Sequence, residues 1–152
     1  MFSVEKKLHA DGRVTHAALV SDGRFSVPHY CHCHPSDGHD HEATYELIRQ
    51  GLAECDMRHD VLQGLVGSVQ RVGLVTVTIT DCHVKFLGPM LWRLVVGWDE
   101  KPVTHDAVHR QMTFDMKTPR KCPSPDIIMA GVRKRAEGSG YRLAAGLKEL
   151  SR

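Results

Sequence analysis

Residues 29–42 read His-Tyr-Cys-His-Cys-His-Pro-Ser-Asp-Gly-His-Asp-His-Glu, so one short run holds five of the chain's 11 histidines and two of its five cysteines. Thiolate sulfur and imidazole nitrogen are the ligands zinc takes in a tetrahedral set of four. Cys31, Cys33, His39 and His41 supply such a set. In extended backbone, residues two apart point the same way. His29, Cys31 and Cys33 then share one side of a strand, and His32 and His34 share the other. Pro35 to Gly38 predicts a turn that folds His39 and His41 back towards the cysteines.

His29, His32 and His34 compete with this set as ligands, and Asp37, Asp40 and Glu42 are placed to orient the histidine rings. Zinc knuckles usually separate their cysteines by two to four residues; here His32 alone stands between them. The signal is therefore ligand density and not a motif. It predicts a structural zinc site in a small binding or regulatory module with a protein partner. The alternative is a small zinc-dependent hydrolase, with three histidine ligands, water in the open position, and Asp37 or Glu42 as the base.

A second pair, His105 and His109, would share one face of a helix, with Asp106 where H-E-x-x-H metalloproteases carry their glutamate. The alternation of Val108, Met112, Phe114 and Met116 equally supports a strand, which would part the two histidines. The chain has no phosphate-binding G-x-x-x-x-G-K-[ST], no dinucleotide G-x-G-x-x-G after a strand and no G-x-S-x-G elbow. His16, His59 and His83 are isolated and read as ordinary surface or core histidines. Cys55 falls on an apolar helical stripe, while Cys82 and Cys122 stand alone as small apolar or loop residues.

Charge is distributed unevenly. Residues 117–152 carry nine Lys/Arg against three Asp/Glu, within a chain whose formal net charge is only +2. Arg133, Lys134 and Arg135 in this basic region are candidates for contacting a nucleic acid. The bland alternative is a solvated helix face, because no aromatic residue interleaves with the triplet.

The elements that must position these residues come from a chain of 152 residues, expected to be a single compact domain over 1–152. An apolar fraction of 41% with 25% charged residues excludes a disordered polyelectrolyte. No run approaches the ~18 apolar residues of a membrane span, and the charged opening is not followed by an apolar stretch. An odd number of cysteines argues against a complete disulfide framework. These features predict a cytoplasmic protein with reduced thiols and no membrane contact.

Asp11-Gly12 and Asp22-Gly23 predict tight turns in an antiparallel meander over 2–9, 13–20 and 24–30, with Pro28 confining the third strand to an edge or an end. Tyr45, Ile48, Leu52 and Cys55 predict a helix over 43–55, and a second helix is expected over 60–70. Alternation predicts strands over 75–80, 83–87 and 90–98, with turns at Asp81-Cys82, Gly88-Pro89 and 99–102. Ser124-Pro125 opens a helix to about 137, Gly138-Ser139-Gly140 ends it, and 141–150 forms the last helix. The expected fold class is α+β, with antiparallel sheets and two helical pairs.

Overall fold

A computed structural model describes the backbone of residues 2–150 and the side chains of 2–138. Three strands, β1 (Phe2–Leu8), β2 (Val14–Asp22) and β3 (Phe25–Cys33), form an antiparallel meander in the order β1-β2-β3. Both Asp-Gly pairs mark its turns, Asp11-Gly12 between β1 and β2 and Asp22-Gly23 at the end of β2, with Gly12 and Gly23 at φ of 88° and 57°, where an L side chain would be strained. Pro28, which has no amide hydrogen to donate, lies on the edge strand β3 as expected.

Pairing is in register throughout, so residues of successive strands stand opposite one another. Val4, Ala18 and His29 make one row, Lys6, His16 and Cys31 the next, and Leu8, Val14 and Cys33 the last.

Helix α1 (His41–Gln63) follows. Tyr45, Ile48, Leu52 and Cys55, at helical spacing, are all buried. Burying each large apolar side chain contributes roughly 1.5–3 kcal/mol. Polar contacts fix its placement against the meander. The Arg49 guanidinium reaches Asp22 at 2.7 Å and Glu46 at 2.6 Å, and Arg24 reaches Asp56 at 2.8 Å. Gly51 is required by close approach: a Cβ there would lie within the indole of Trp92.

The expected division into helices over 43–55 and 60–70 is corrected, because α1 runs through the interval between them. No glycine or proline interrupts residues 52–63, and Glu54 pairs with Arg58 one turn later. Leu62 is buried, but Val61 and Val69 are exposed, and after Gly64 the chain turns at Gly67 into β4 (Val69–Val72).

The second sheet has the order β4-β5-β6-β7, with β5 (Val75–Gly88), β6 (Leu91–Pro102) and β7 (Val108–Met116). Val75, Val77 and Ile79 alternate inwards as their β-branched pattern demands. Asp81-Cys82 does not turn the chain: Cys82 is fully buried within β5. Nor do residues 99–102 form a turn. Glu100 continues β6 as a buried carboxylate that accepts hydrogen bonds from Trp98 Nε1 at 3.1 Å and Arg110 Nε at 3.2 Å. Those two donors supply what water would otherwise give a buried charge.

Helix α2 (Pro125–Leu150) closes the described chain. Its backbone is helical through Gly138-Ser139-Gly140, so the second expected pair is also one helix. Here helix propagation, which adds one hydrogen bond per residue, prevails over the cost of about 1 kcal/mol per glycine. The fold is thus mixed helix and strand, with two antiparallel sheets and two long helices.

Cα proximity divides the chain into two compact units. One comprises residues 1–58, 84–93 and 115–121, including the meander and most of α1; the other comprises 59–83, 94–114 and 122–152. No helix among the described residues is long and apolar enough to cross a membrane.

Candidate metal centre

Cys31 and Cys33 end β3, and a 3₁₀ turn over Pro35–Asp37 reverses the chain. The turn is built from its own residues. The His34 amide donates to Asp37 Oδ2 at 2.9 Å, and the Ser36 amide donates to His34 Nδ1 at 3.2 Å. Gly38 leaves it at a φ of 69°. Asp40 then caps α1 by accepting from the Ala43 amide at 3.0 Å. His39 precedes the helix, and His41 is its first residue.

This reversal brings one ligand atom from each of Cys31, Cys33, His39 and His41 within 4.8 Å of the other three. Cys31 Sγ stands 3.5 Å from His39 Nδ1, and Cys33 Sγ stands 3.5 Å from His41 Nε2. In tetrahedral zinc with bonds of about 2.3 Å to sulfur and 2.0–2.1 Å to nitrogen, a sulfur and a nitrogen ligand lie roughly 3.6 Å apart. The two cross-pairs therefore already have the spacing of tetrahedral edges. Such a Cys2His2-like cluster is able to hold a metal ion such as zinc.

Two of the competing histidines, His32 and His34, are engaged elsewhere. His32 Nδ1 pairs with Thr15 Oγ1 at 2.8 Å, and that hydroxyl also meets His9 Nε2 at 2.7 Å. His34 belongs to the turn. His29 is on the cysteine side, its ring 6.4 Å from that of Tyr45, outside the four-atom cluster. Burial, and then the charge of nearby His41, hold the His29 imidazole below its usual range. Asp37 and Asp40 turn their carboxylates to backbone amides, so they stabilise the loop that carries the histidines.

His16 is not isolated. It stands opposite Cys31 in the sheet register and stacks on His41, with ring centroids 3.8 Å apart and planes 19° apart. Burial, His41 and Lys6 depress its affinity for a proton, in that order. Register was the missing signal: the Asp22-Gly23 turn fixes which residue of β2 stands opposite Cys31, and that residue is His16. Tyr45 completes the surroundings. Burial first, and then the thiols of Cys31 and Cys33, push its hydroxyl upwards from the usual phenol range. Cys31 is itself raised, first by burial and then by Cys33.

Among the described residues, the other candidates do not assemble a comparable cluster. His105 is in the connection before β7 and hydrogen-bonds Thr104 at 2.8 Å, while His109 lies on β7 and meets Asp99 at 2.9 Å. The strand reading of that segment is the correct one, so the helical pairing is lost. His83 meets Asp81 at 2.9 Å. Cys82 sits in the core as a small apolar residue, its thiol pushed up to about 11, first by burial and then by Cys122. Arg133, Lys134 and Arg135 lie on the exposed face of α2, with Arg133 paired to Glu137 at 3.2 Å.

The chain matches no family model, and no curated protein or solved structure shows significant similarity to it.

Proposed function

We propose that this protein is a small zinc-binding module in which Cys31, Cys33, His39 and His41 hold one structural zinc ion. The observation that carries the reading is the convergence of four ligand atoms within 4.8 Å, drawn from a strand end and a helix start. A metal there would tie the meander to α1, so its binding free energy becomes folding free energy. Two thiolates and two imidazoles fill a tetrahedron and leave no position for a reactive water, which favours a structural over a hydrolytic site. The module's role is then binding or regulation through a protein partner. A contact between Arg133, Lys134 and Arg135 and a nucleic acid is a separate proposal, tested by salt-dependent binding.

Native mass spectrometry with elemental analysis tests the metal, and X-ray absorption tests its ligands. One zinc per chain in a two-sulfur, two-nitrogen shell is expected. A metal-free chain after purification in zinc-containing buffer overturns the proposal, and a shell of three nitrogens with water turns it towards the hydrolase.

A further inference from the structure

The two sheets end in the outer strands β1, β3, β4 and β7. An outer strand presents amide and carbonyl groups that a further strand can take up, so such strands are usually kept short or given lysine or proline. β1 carries the exposed Lys6 and Lys7, β3 carries Pro28, and β4 has only four residues. β7 has neither lysine nor proline. It runs for nine residues, Val-His-Arg-Gln-Met-Thr-Phe-Asp-Met, pairs only with β6 among the described residues, and is exposed except at Met112 and Met116.

Its charges do not guard the edge, because each is turned to β6. Arg93 Nε donates to Asp115 at 2.7 Å, His109 meets Asp99 at 2.9 Å, and Arg110 Nε donates to Glu100 at 3.2 Å. The large side chains that β7 leaves open are apolar, with Val108 at 45% exposure and Phe114 at 49%. Met112 and Phe114 also line a groove of about 190 Å³ against α2, where Ile127 is exposed as well.

The order of residues in β7 points to its occupant. Laid antiparallel to itself about Met112, the strand sets His109 opposite Asp115, Arg110 opposite Phe114, Gln111 opposite Thr113, and Met112 opposite its own copy. Acid then meets base and a guanidinium meets an aromatic face, both favourable across strands. With the contacts to β6 included, one row across the joined sheets reads Arg93, Asp115, His109 of the partner subunit and Asp99 of the partner subunit, basic and acidic in alternation. A slip of one residue would set the face bearing Met112 and Phe114 level with the opposite face of the second copy.

We infer that β7 is a dimerisation edge, on which a second copy of this chain pairs antiparallel about Met112 and makes the two β4-β5-β6-β7 sheets one. The inference does not depend on the metal.

Sedimentation velocity on the whole purified chain tests it. The parent should be dimeric at about 100 µM, a concentration that fills an interface of micromolar affinity. Met112→Lys should weaken association by about tenfold or more, because two ammonium groups then stand opposite each other. Met112→Cys should form a disulfide-linked dimer under mild oxidant, since the two copies of residue 112 face each other with Cβ atoms roughly 4.5–5.5 Å apart. Gln111→Cys, whose copies are diagonal at roughly 7–8 Å, should crosslink no more than the parent. A parent that stays monomeric at about 100 µM overturns the inference, whether or not zinc is bound. A dimer that folded Met112→Lys leaves intact, or equal crosslinking from positions 111 and 112, overturns it too. Should Met112→Lys fail to fold, the two cysteine variants decide.

Discussion

Cys33 Sγ and His41 Nε2, eight residues apart in the chain, stand 3.5 Å from each other across the junction of β3 and α1. Neither element alone could bring them together. The strand aims the thiol towards the helix side, and the turn between them sets the distance. This contact, repeated between Cys31 and His39, makes the junction the place where a bound metal would be coupled to the fold.

Removing one ligand should therefore remove metal and stability together. Cys31→Ser and His41→Ala should each abolish stoichiometric zinc. At free zinc about a hundredfold above the dissociation constant, the lost stabilisation is about 2.7 kcal/mol, or a fall of roughly 5–10 °C in Tm. Chelator should lower the parent's Tm by a similar amount and leave the variants nearly unchanged. Equal melting temperatures for parent and variants in zinc would contradict the coupling.

His32→Ala and His34→Ala should keep full zinc content. His32 is held by Thr15, and His34 by the 3₁₀ turn. His34→Ala should lower stability modestly, by about 0.5–2 kcal/mol, because a cap of the turn is lost. Elemental analysis of the two purified variants decides the ligand set.

Acid should release the metal. Ligands bind as thiolate and neutral imidazole, with reference pKa values of about 8.5 and 6.5. The bound form is the deprotonated one, so metal depresses the apparent pKa of each ligand. The stability it supplies is present above those depressed values and is lost as pH falls through them. Zinc content and Tm should drop together between about pH 7 and pH 5. At pH 7, zinc binding should release about two protons, one per thiol, read by calorimetry in buffers of different ionisation enthalpy. Tm that stays constant over this pH range in zinc-loaded protein would count against the cluster.

Gly51→Ala should destabilise the chain despite alanine's better helix propensity. The new methyl would overlap the buried indole of Trp92, and overpacking of this kind costs about 1–3 kcal/mol. Denaturant unfolding of the variant checks the sign: an increase in stability would show that the indole has room to move.

Arg110→Met should cost about 1–3 kcal/mol, since it takes one hydrogen-bond donor from the buried Glu100 carboxylate. Adding Glu100→Gln should recover part of that loss, because the charge that needed the partner is gone. Additive losses in the double variant would show that the pair is not coupled.

Local chemistry in the sequence was enough to establish the meander and to nominate Cys31, Cys33, His39 and His41 as candidate ligands, with His29, His32 and His34 competing. Positive φ is easy for Gly12 and Gly23, which places both turns, and the two-residue period of a strand then puts Cys31 and Cys33 on one side with His32 on the other. The candidate set followed from residue type and a turn at Pro35-Ser36-Asp37-Gly38. The lengths of the helices were not legible in this way. Gly138 and Gly140 marked an end that backbone propagation overrode, and the lapse of apolar residues near 56–60 suggested a break although no glycine or proline stands there and Glu54 is one turn before Arg58. Strand continuation through Cys82 and Glu100 depended on burial and on partners distant in sequence, such as Arg110 for Glu100. Tertiary packing alone decided which histidines converge. His34, His32 and His41 are the same residue type within ten positions, yet one caps a turn, one meets Thr15 and one stacks on His16. Their identities are local, but their roles depend on which strand lies opposite and where α1 is anchored. A sequence fixes residue type and short-range geometry, whereas the ligand distances arise only when β3, the turn and α1 are packed together.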